Sequence, residues 1–420
     1  EREWFARTVR DAGLTFIGPS AEAIAAMGSK TAARELAIAA GTPVVPGTTT
    51  ALRDAEEAAE VAERFGYPVL LKAAAGGGGK GMRVVQRREE LAGALASAQR
   101  EARNAFGDDA VYVEKYIVGP RHVEIQVLGD QHGAMLHLGE RECSIQRRHQ
   151  KMIEEAPSVA VTPELRARMG AAAVAAARAA GYTNAGTCEF LLDANGQFYF
   201  LEMNTRIQVE HPVTELVMGV DLVQWQLRIA AGERLPFTQD ALVPRGWAIE
   251  CRITSEDPAN GFLPSTGRVQ YLHVPAGPGV RWDGGIETGS EVTLYYDPML
   301  AKLIVWAPDR AQAIARMHRA LLELTIEGID TSRDFHLRVM ENADFRAGAI
   351  EIQWLERHLA ELTAAPAPHE SVLRAAIAAV LLSESDRGTR RPAAPTASES
   401  STAAPAASRW LETARREALR

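Results

Sequence analysis

Residues 187–204 read TCEFLLDANGQFYFLEMN. The runs Thr187–Leu192 and Phe198–Glu202 are rich in the aromatic, β-branched and aliphatic residues that suit strands. Between them lies Asp193-Ala194-Asn195-Gly196, and Asn-Gly is the strongest short signal for a hairpin. With Asn195-Gly196 as a two-residue loop, Glu189 falls directly opposite Glu202. Two carboxylates about 5 Å apart repel by roughly 3 kcal/mol at an effective dielectric of about 20, and like charges facing one another weaken a sheet. A divalent cation between them reverses that sign. An all-oxygen donor set favours Mg²⁺ or Mn²⁺. Asn204, two residues beyond Glu202 on the same face, supplies a third oxygen.

The chain continues as Thr205-Arg206-Ile207-Gln208-Val209-Glu210-His211-Pro212. Read as extended, it places Arg206, Gln208 and Glu210 on one face. Arg206 fits a small planar oxyanion in a bidentate fork, and Glu210 beside it suits a general base once water is excluded. An edge-strand ion pair is the competing reading. Upstream, Gln146–Lys151 (QRRHQK) is the densest basic cluster, either a solvated loop or an anion site. Arg121–Val127 alternates, so Val123, Ile125 and Val127 face a core and His122 the opposite side. Pro68–Lys72 reads as a strand. Gly76–Gly81 follows it with four consecutive glycines and Lys80, and then comes Met82–Val85. No helix follows the glycines, so this is not a dinucleotide fingerprint, and Lys80 precedes Gly81 rather than Ser or Thr, so it is not a Walker A loop. What remains is strand, glycine loop, strand: a hairpin tip with free N–H groups that a phosphate can approach.

At 420 residues the chain has room for about three domains or subdomains. The net charge of −8 argues against a nucleic-acid partner. Cys143, Cys188 and Cys251 lack metal or disulfide spacing and read as buried reduced thiols, as in the cytoplasm. No apolar run reaches the length of about 18 residues that a membrane span needs. Leu14–Gly18 predicts a short strand, and Ala21–Ala40 a helix capped by Ser20 and stopped by Gly41 and Pro43. Helices alternate with β-rich runs as far as Leu362, giving an α/β or α+β class. From residue 383 to 409 there is no Val, Ile, Leu, Met or aromatic residue, which predicts a flexible linker.

The glycine loop, Glu114-Lys115-Tyr116, Arg121-His122-Val123-Glu124, the Gln146–Lys151 cluster, Glu189 and Glu202–His211 closely resemble the motifs of biotin carboxylase, an ATP-grasp enzyme. Glu250-Cys251-Arg252-Ile253, Phe262-Leu263-Pro264-Ser265 and Tyr295-Tyr296-Asp297-Pro298-Met299 look like the C-terminal subdomain of that family. The resemblance implies an α+β ATP-grasp fold. It divides the chain into a remnant of the N-terminal subdomain (1–29), an ATP-grasp domain (30–240, lid about 44–117) and the C-terminal subdomain (241–362). A helical extension (363–382), the linker (383–409) and the start of a truncated following domain (410–420) complete it.

The resemblance also implies roles. Lys30 and Lys72 meet ATP phosphates, with Gly78 and Gly79 on the lid. Glu114, Lys115, Tyr116 and Ile117 line the adenine pocket, and His122 and His149 touch the nucleotide. Glu189, Glu202 and Asn204 hold Mg²⁺ or Mn²⁺. Lys151, Arg206, Gln208 and Val209 hold bicarbonate, Glu210 deprotonates it, and Arg252 binds biotin and stabilises its enolate. The implied reaction is ATP-dependent carboxylation of biotin on a carrier domain, the first half-reaction of an acyl-CoA carboxylase. The implied partners are a carrier domain, a carboxyltransferase subunit and a second copy of the chain. The Arg206–Glu210 stretch and Arg252 favour this branch over an ATP-grasp ligase with another acid substrate. An ATP-binding fragment without full activity is the other alternative. Departures are Ser29 where the family carries Asp, Lys80 where some members carry Arg, and a 193–196 loop one residue longer than in some relatives.

Overall fold

The computed structural model describes residues 1–48, 50–73, 81–364 and 375–383, apart from the side chains of Lys30, Thr31 and Phe106. The chain divides into two compact units, Glu1–Ala364 and Ala365–Arg420. In the second, residues 375–383 are helical and exposed. The predicted linker beyond residue 383 and the segment 410–420 lie outside the described residues.

The first unit opens with α1 (Glu3–Asp11), α2 (Ala21–Gly28) and α3 (Lys30–Ala39). Leu14–Gly18 forms no strand. Leu14 and Ile17 are exposed, and a strand without a neighbour to pair with gains no ladder hydrogen bonds. The helix expected over Ala21–Ala40 starts as predicted, with Ser20 Oγ accepting from Ala23 N at 3.1 Å. It then breaks at Ser29, whose side chain accepts from Ala32 N and starts α3 afresh. A serine that captures a free N–H at a helix start competes with continuing the helix.

Next comes a small sheet of β1 (Val69–Ala73), β2 (Arg83–Val85) and β3 (Val111–Lys115) in the order β2-β1-β3, all antiparallel. Alternate β1 residues Val69 and Leu71 bury themselves against α4 (Ala55–Phe65) and α5 (Arg88–Phe106). The strand–loop–strand reading of the glycine motif therefore holds for its two strands. The glycines between them, Gly78 and Gly79 included, lie outside the described residues.

The main sheet has eight strands, all antiparallel to their neighbours. The order is Val280–Gly284, Met299–Ala307, β9 (Trp247–Thr254), β6 (Gln150–Ala156), β5 (Met135–Arg147), β4 (Arg121–Gly129), β7 (Asn184–Leu192) and β8 (Phe198–Asn204). Because β9 bonds directly to β6, the strands after residue 241 extend the same sheet. One face of the sheet is apolar. Val123, Ile125 and Val127, all 0% exposed, pack with α3 and α6 (Pro163–Ala179). Further along, Ile153, Cys251 and Leu303 pack with α9 (Arg310–Glu323), α10 (Arg333–Glu341) and α12 (Trp354–Leu362). The other face carries His122, Glu124 and Gln126. These are buried too, and α7 (His211–Met218) lies across the same face of the neighbouring strands β5, β6 and β9.

The hairpin of residues 187–204 has the predicted cross-strand pair by an unpredicted route. Asp193 pairs with Gln197, leaving a three-residue loop, Ala194-Asn195-Gly196, with Gly196 at φ 75°. Taken alone, that loop shifts the register by one. A bulge between Glu189/Phe190 on β7 and the facing residues restores it: Phe190 faces Phe200, yet Glu189 faces Glu202. The extended reading of residues 205–210 fails. Strand β8 ends at Asn204, and the backbone turns so that Glu210 becomes the N-cap of α7, with Pro212 in the first turn.

Candidate active site

Four adjacent strands place Glu202, Glu189, Glu124 and Arg141 in one continuous rung. Three carboxylates in a row demand compensation, and the structure supplies it from one end and from above. Arg141 is 0% exposed. Its guanidinium donates to Glu124 Oε1 at 2.5 Å, Gln126 Oε1 at 2.7 Å, Thr214 Oγ1 at 3.0 Å and Thr187 Oγ1 at 3.1 Å. Lys151 reaches in from β6. Its Nζ donates to Glu124 Oε2 at 2.5 Å, Glu210 Oε1 at 2.6 Å, Glu189 Oε1 at 2.9 Å and Gln208 Oε1 at 3.3 Å. An ammonium has three protons for these four acceptors. Burial opposes the charge on Lys151, but Glu124, Glu210 and Glu189 outweigh it and hold its pKa well above the usual lysine value. Burial likewise opposes ionisation of Glu124, and Arg141 and Lys151 reverse this, bringing its pKa down to about 2.

Glu210 is fully buried at the head of α7. Its second oxygen accepts from Arg252 Nη2 at 2.8 Å, so each oxygen of this carboxylate meets one cation. Arg252, on β9, is itself held by Glu154, whose Oε1 accepts from Nε at 2.7 Å. The Arg252 backbone is fixed from below by α10: His336 Nε2 donates to its carbonyl at 2.7 Å and Ser332 Oγ at 3.1 Å. Burial brings the fully enclosed His336 imidazole down to about 4. The unfolded chain therefore binds this proton first. The stability that His336 contributes is present above about pH 6.5 and lost as pH falls toward 4. The urea midpoint of the wild type should drop across that window, with a shallower slope in His336→Gln.

Lys151, Gln208, Glu210 and Arg252 thus converge, while Val209 is fixed through its carbonyl, which accepts from Lys302 Nζ at 2.9 Å. A cavity of about 260 Å³ opens beside them, lined among others by Lys151, Val209, Arg252, Phe262 and Met299. Arg206 does not join this group. Because the segment turns instead of extending, its exposed guanidinium bonds Glu1, with Nε 3.0 Å from Oε2.

The basic cluster is a hairpin tip. Arg148 and His149 occupy its two turn positions with φ of 50° and 65° and are exposed, whereas Lys151 points inward from β6. Glu114, Lys72 and Arg34 form a separate, partly buried network beside the three-stranded sheet. Glu114 accepts from Lys72 Nζ at 2.6 Å and from Arg34 Nη1 at 3.3 Å. Lys115 Nζ donates to Gly66 O at 2.7 Å. Tyr116 Oη accepts from Gln353 Nε2 at 2.9 Å, and Ile117 follows on the link between β3 and β4. Lys30 starts α3, and its side chain lies outside the described residues.

The residues fit a hard divalent cation. Glu189 and Glu202 face one another, and Asn204 is close enough to donate to Glu189 Oε1 at 3.0 Å. His122 Nε2 lies 3.1 Å from Glu189 Oε2. The donor atoms of His122, Glu124 and Glu189 also lie within 4.8 Å of one another. Sequence reasoning missed Arg141, Glu154 and Lys302 as members of this centre, and quoted Glu124 and Glu250 only as parts of motifs. The signal was Glu140-Arg141-Glu142: three adjacent charges inside a strand send charge to both faces, which an ordinary half-solvated strand does not do. On the other face Glu140 pairs with Arg166 at 2.6 Å.

Residues 29–238 match the family described as carbamoyl-phosphate synthase L chain, ATP binding domain, and residues 250–357 match the biotin carboxylase C-terminal domain. A biotin carboxylase of Nostoc sp. is 53% identical over 356 residues, covering 85% of this chain and 80% of that one. The alpha subunit of methylcrotonoyl-CoA carboxylase from Rattus norvegicus mitochondria is 47% identical over 380 residues, 90% of this chain and 53% of that one. Among solved structures, the biotin carboxylase domain dimer of Hydrogenobacter thermophilus 2-oxoglutarate carboxylase, in complex with MgADP, ADP and bicarbonate, superposes with a TM-score of 0.81. It is 49% identical, covering 87% of this chain and 80% of that one. With its eight-stranded sheet, its buried Lys151–Glu210–Arg252 centre and matches along most of its length, this chain belongs to the biotin carboxylase family of ATP-grasp enzymes.

Proposed function

We propose that this chain carries out the first half-reaction of an acyl-CoA carboxylase, the ATP-dependent carboxylation of biotin on a carrier domain by bicarbonate. The observation that carries it is Glu210, fully buried, with one oxygen on Lys151 and the other on Arg252, beside a cavity of about 260 Å³. Two of the roughly four lone-pair sites of that carboxylate remain for a substrate proton.

In this reading Glu210 takes the proton of bicarbonate, which Lys151, Gln208, the Val209 backbone and Arg206 orient. Arg206 leaves Glu1 to do so. The bicarbonate oxygen attacks the γ-phosphorus of ATP, the bond to ADP breaks, and the resulting carboxyphosphate divides into CO₂ and phosphate. The released phosphate takes the N1′ proton of biotin, Arg252 stabilises the enolate that results, and N1′ then takes up CO₂. Lys30, Lys72 and His149 contact the nucleotide along with His122, Glu114 to Ile117 line its adenine, and Gly78 and Gly79 close over the phosphates. Glu189, Glu202 and Asn204 would hold Mg²⁺ or Mn²⁺, which when bound would offset charge on the transferring phosphoryl group.

The methylcrotonoyl-CoA relative and the Pro/Ala/Ser-rich tail support the acyl-CoA assignment. A biotin carrier domain, a carboxyltransferase subunit and a second copy of the chain are the partners this reading implies. Three buried free cysteines accord with a cytoplasmic setting, and no helix among the described residues is long and apolar enough to cross a membrane.

The test is ADP release by this chain with MgATP and bicarbonate, with and without free biotin, beside a thermal-shift titration with MgATP. The expected result is a raised midpoint, since a ligand of the folded state must stabilise it, and ADP release that biotin stimulates. A raised midpoint with no biotin-stimulated release would reject the reading for this chain.

A further inference from the structure

Beneath Arg252 the sheet buries two more carboxylates that the proposed chemistry does not use. Glu154 on β6 and Glu250 on β9 are direct cross-strand partners, and both are 0% exposed. Glu154 Oε1 holds the Arg252 guanidinium, with Nε at 2.7 Å and Nη2 at 2.6 Å. Its Oε2 and both oxygens of Glu250 have no hydrogen-bond partner among the described residues. An ionised carboxylate without a donor, out of water and beside a second carboxylate, is among the costliest arrangements a protein can hold. Protonating one of the two removes the repulsion and still leaves one negative charge for Arg252.

We propose that Glu154 and Glu250 work as one buried acid: they carry a single proton between them, and in that state Glu154 seats the Arg252 guanidinium against Glu210. Both are positioning residues. The charged and titratable groups around the pair are Lys151 on its own strand β6, Arg252 on β9, Lys302 on the strand Met299–Ala307, Cys143 on β5, and Glu210 with His211 at the start of α7. Burial raises both carboxyl groups. It pushes Glu154 up to about 7 against the pull of Arg252, with Glu210 adding to the rise. Glu250 goes well above the usual carboxylate range, first by burial and then by Glu154 itself, with Lys302 and Arg252 opposing.

The consequence has a definite sign. The native pair binds more protons than the unfolded one. Its contribution to stability is complete below about pH 4.5 and falls as pH rises, the share of Glu154 being lost through about pH 7. Glu250→Gln keeps the shape and removes the second charge, so Glu154 ionises beside Arg252 without repulsion. The first experiment is thermal unfolding of wild type, Glu250→Gln and Glu250→Leu between about pH 5 and pH 9. Both variants should gain on the wild type as pH rises. Glu250→Leu guards against a polar artefact at a buried position. The second is an infrared difference spectrum of wild type against Glu250→Gln at neutral pH, which should contain a protonated-carboxyl band that weakens as pH rises. Parallel unfolding curves, or no such band, would overturn the proposal.

The role of the seat rests on the biotin reading. Glu154→Gln should raise KM for biotin about tenfold while changing KM for ATP far less, since only the Arg252 end of the site loses its anchor. A rise in KM for ATP as large as that for biotin would overturn the positioning role. If biotin-stimulated turnover is missing in the wild type, the proposed function fails. The unfolding and infrared readouts still decide where the proton is.

Discussion

Glu210→Gln is expected to lower bicarbonate-dependent ATP turnover by about 10² to 10⁴, the range that a positioned general base supplies. Glutamine keeps the volume of the side chain but cannot take a proton. It also puts an amide nitrogen where the wild type offers two acceptor oxygens, one to Lys151 and one to Arg252. At least one of those cations then faces a donor. The measurement is ADP release under saturating bicarbonate and biotin, with MgATP binding followed separately by thermal shift. Lost turnover with ATP binding intact is the expected pair of results, because the Lys72–Glu114–Arg34 network, where the proposed function places the nucleotide, is untouched. Turnover within a few-fold of the wild type would remove Glu210 from the chemistry.

Arg141→Leu should be the most destabilising single change in the molecule, by about 3–5 kcal/mol. The residue is fully buried and donates to Glu124, Gln126, Thr214 and Thr187. Leucine leaves Glu124 with Lys151 as its only paired cation among the described residues, beside Glu189 on the next strand. The cost is mainly that of an undercompensated buried charge, not of lost attraction. The double variant Arg141→Leu/Glu124→Leu should therefore recover part of the loss, since removing both partners of a buried pair is often close to neutral. Equilibrium urea unfolding of the wild type, the single variant and the double variant reads this directly. A double variant less stable than the single one would refute the account.

The hairpin of residues 187–204 shows what kind of inference survives. Asn195-Gly196 announces a tight turn, and the flanking aromatic and aliphatic residues announce strands, so the pair Glu189–Glu202 is legible. The loop length and the bulge were both misread, and their effects cancel. Each shifts the register by one residue, and local propensity does not distinguish a two-residue loop from a three-residue loop followed by a bulge. Arg206 shows the opposite case. Its alternation with Gln208 and Glu210 suggests one face, but Pro212 and the start of α7 turn the chain, and Arg206 leaves the others for Glu1.

The sequence by itself determined the family motifs, the lid strands around the glycine loop, the alternating core of β4 and the candidate identities of Lys151, Gln208, Glu210 and Arg252. These rest on residue type and short-range spacing, which are written along the chain. Only the tertiary structure decided that the polar face of the sheet is covered, with α7 lying over β5, β6 and β9. That closure turns Glu124, Arg141, Glu154 and Glu250 from ordinary outward-facing charges into a buried electrostatic centre. The physical reason is burial. A strand's alternation says which side chains share a face, but whether that face meets water or a helix depends on segments far away in sequence. On that point hangs the difference between a charge that costs nothing and one that must be paired or protonated.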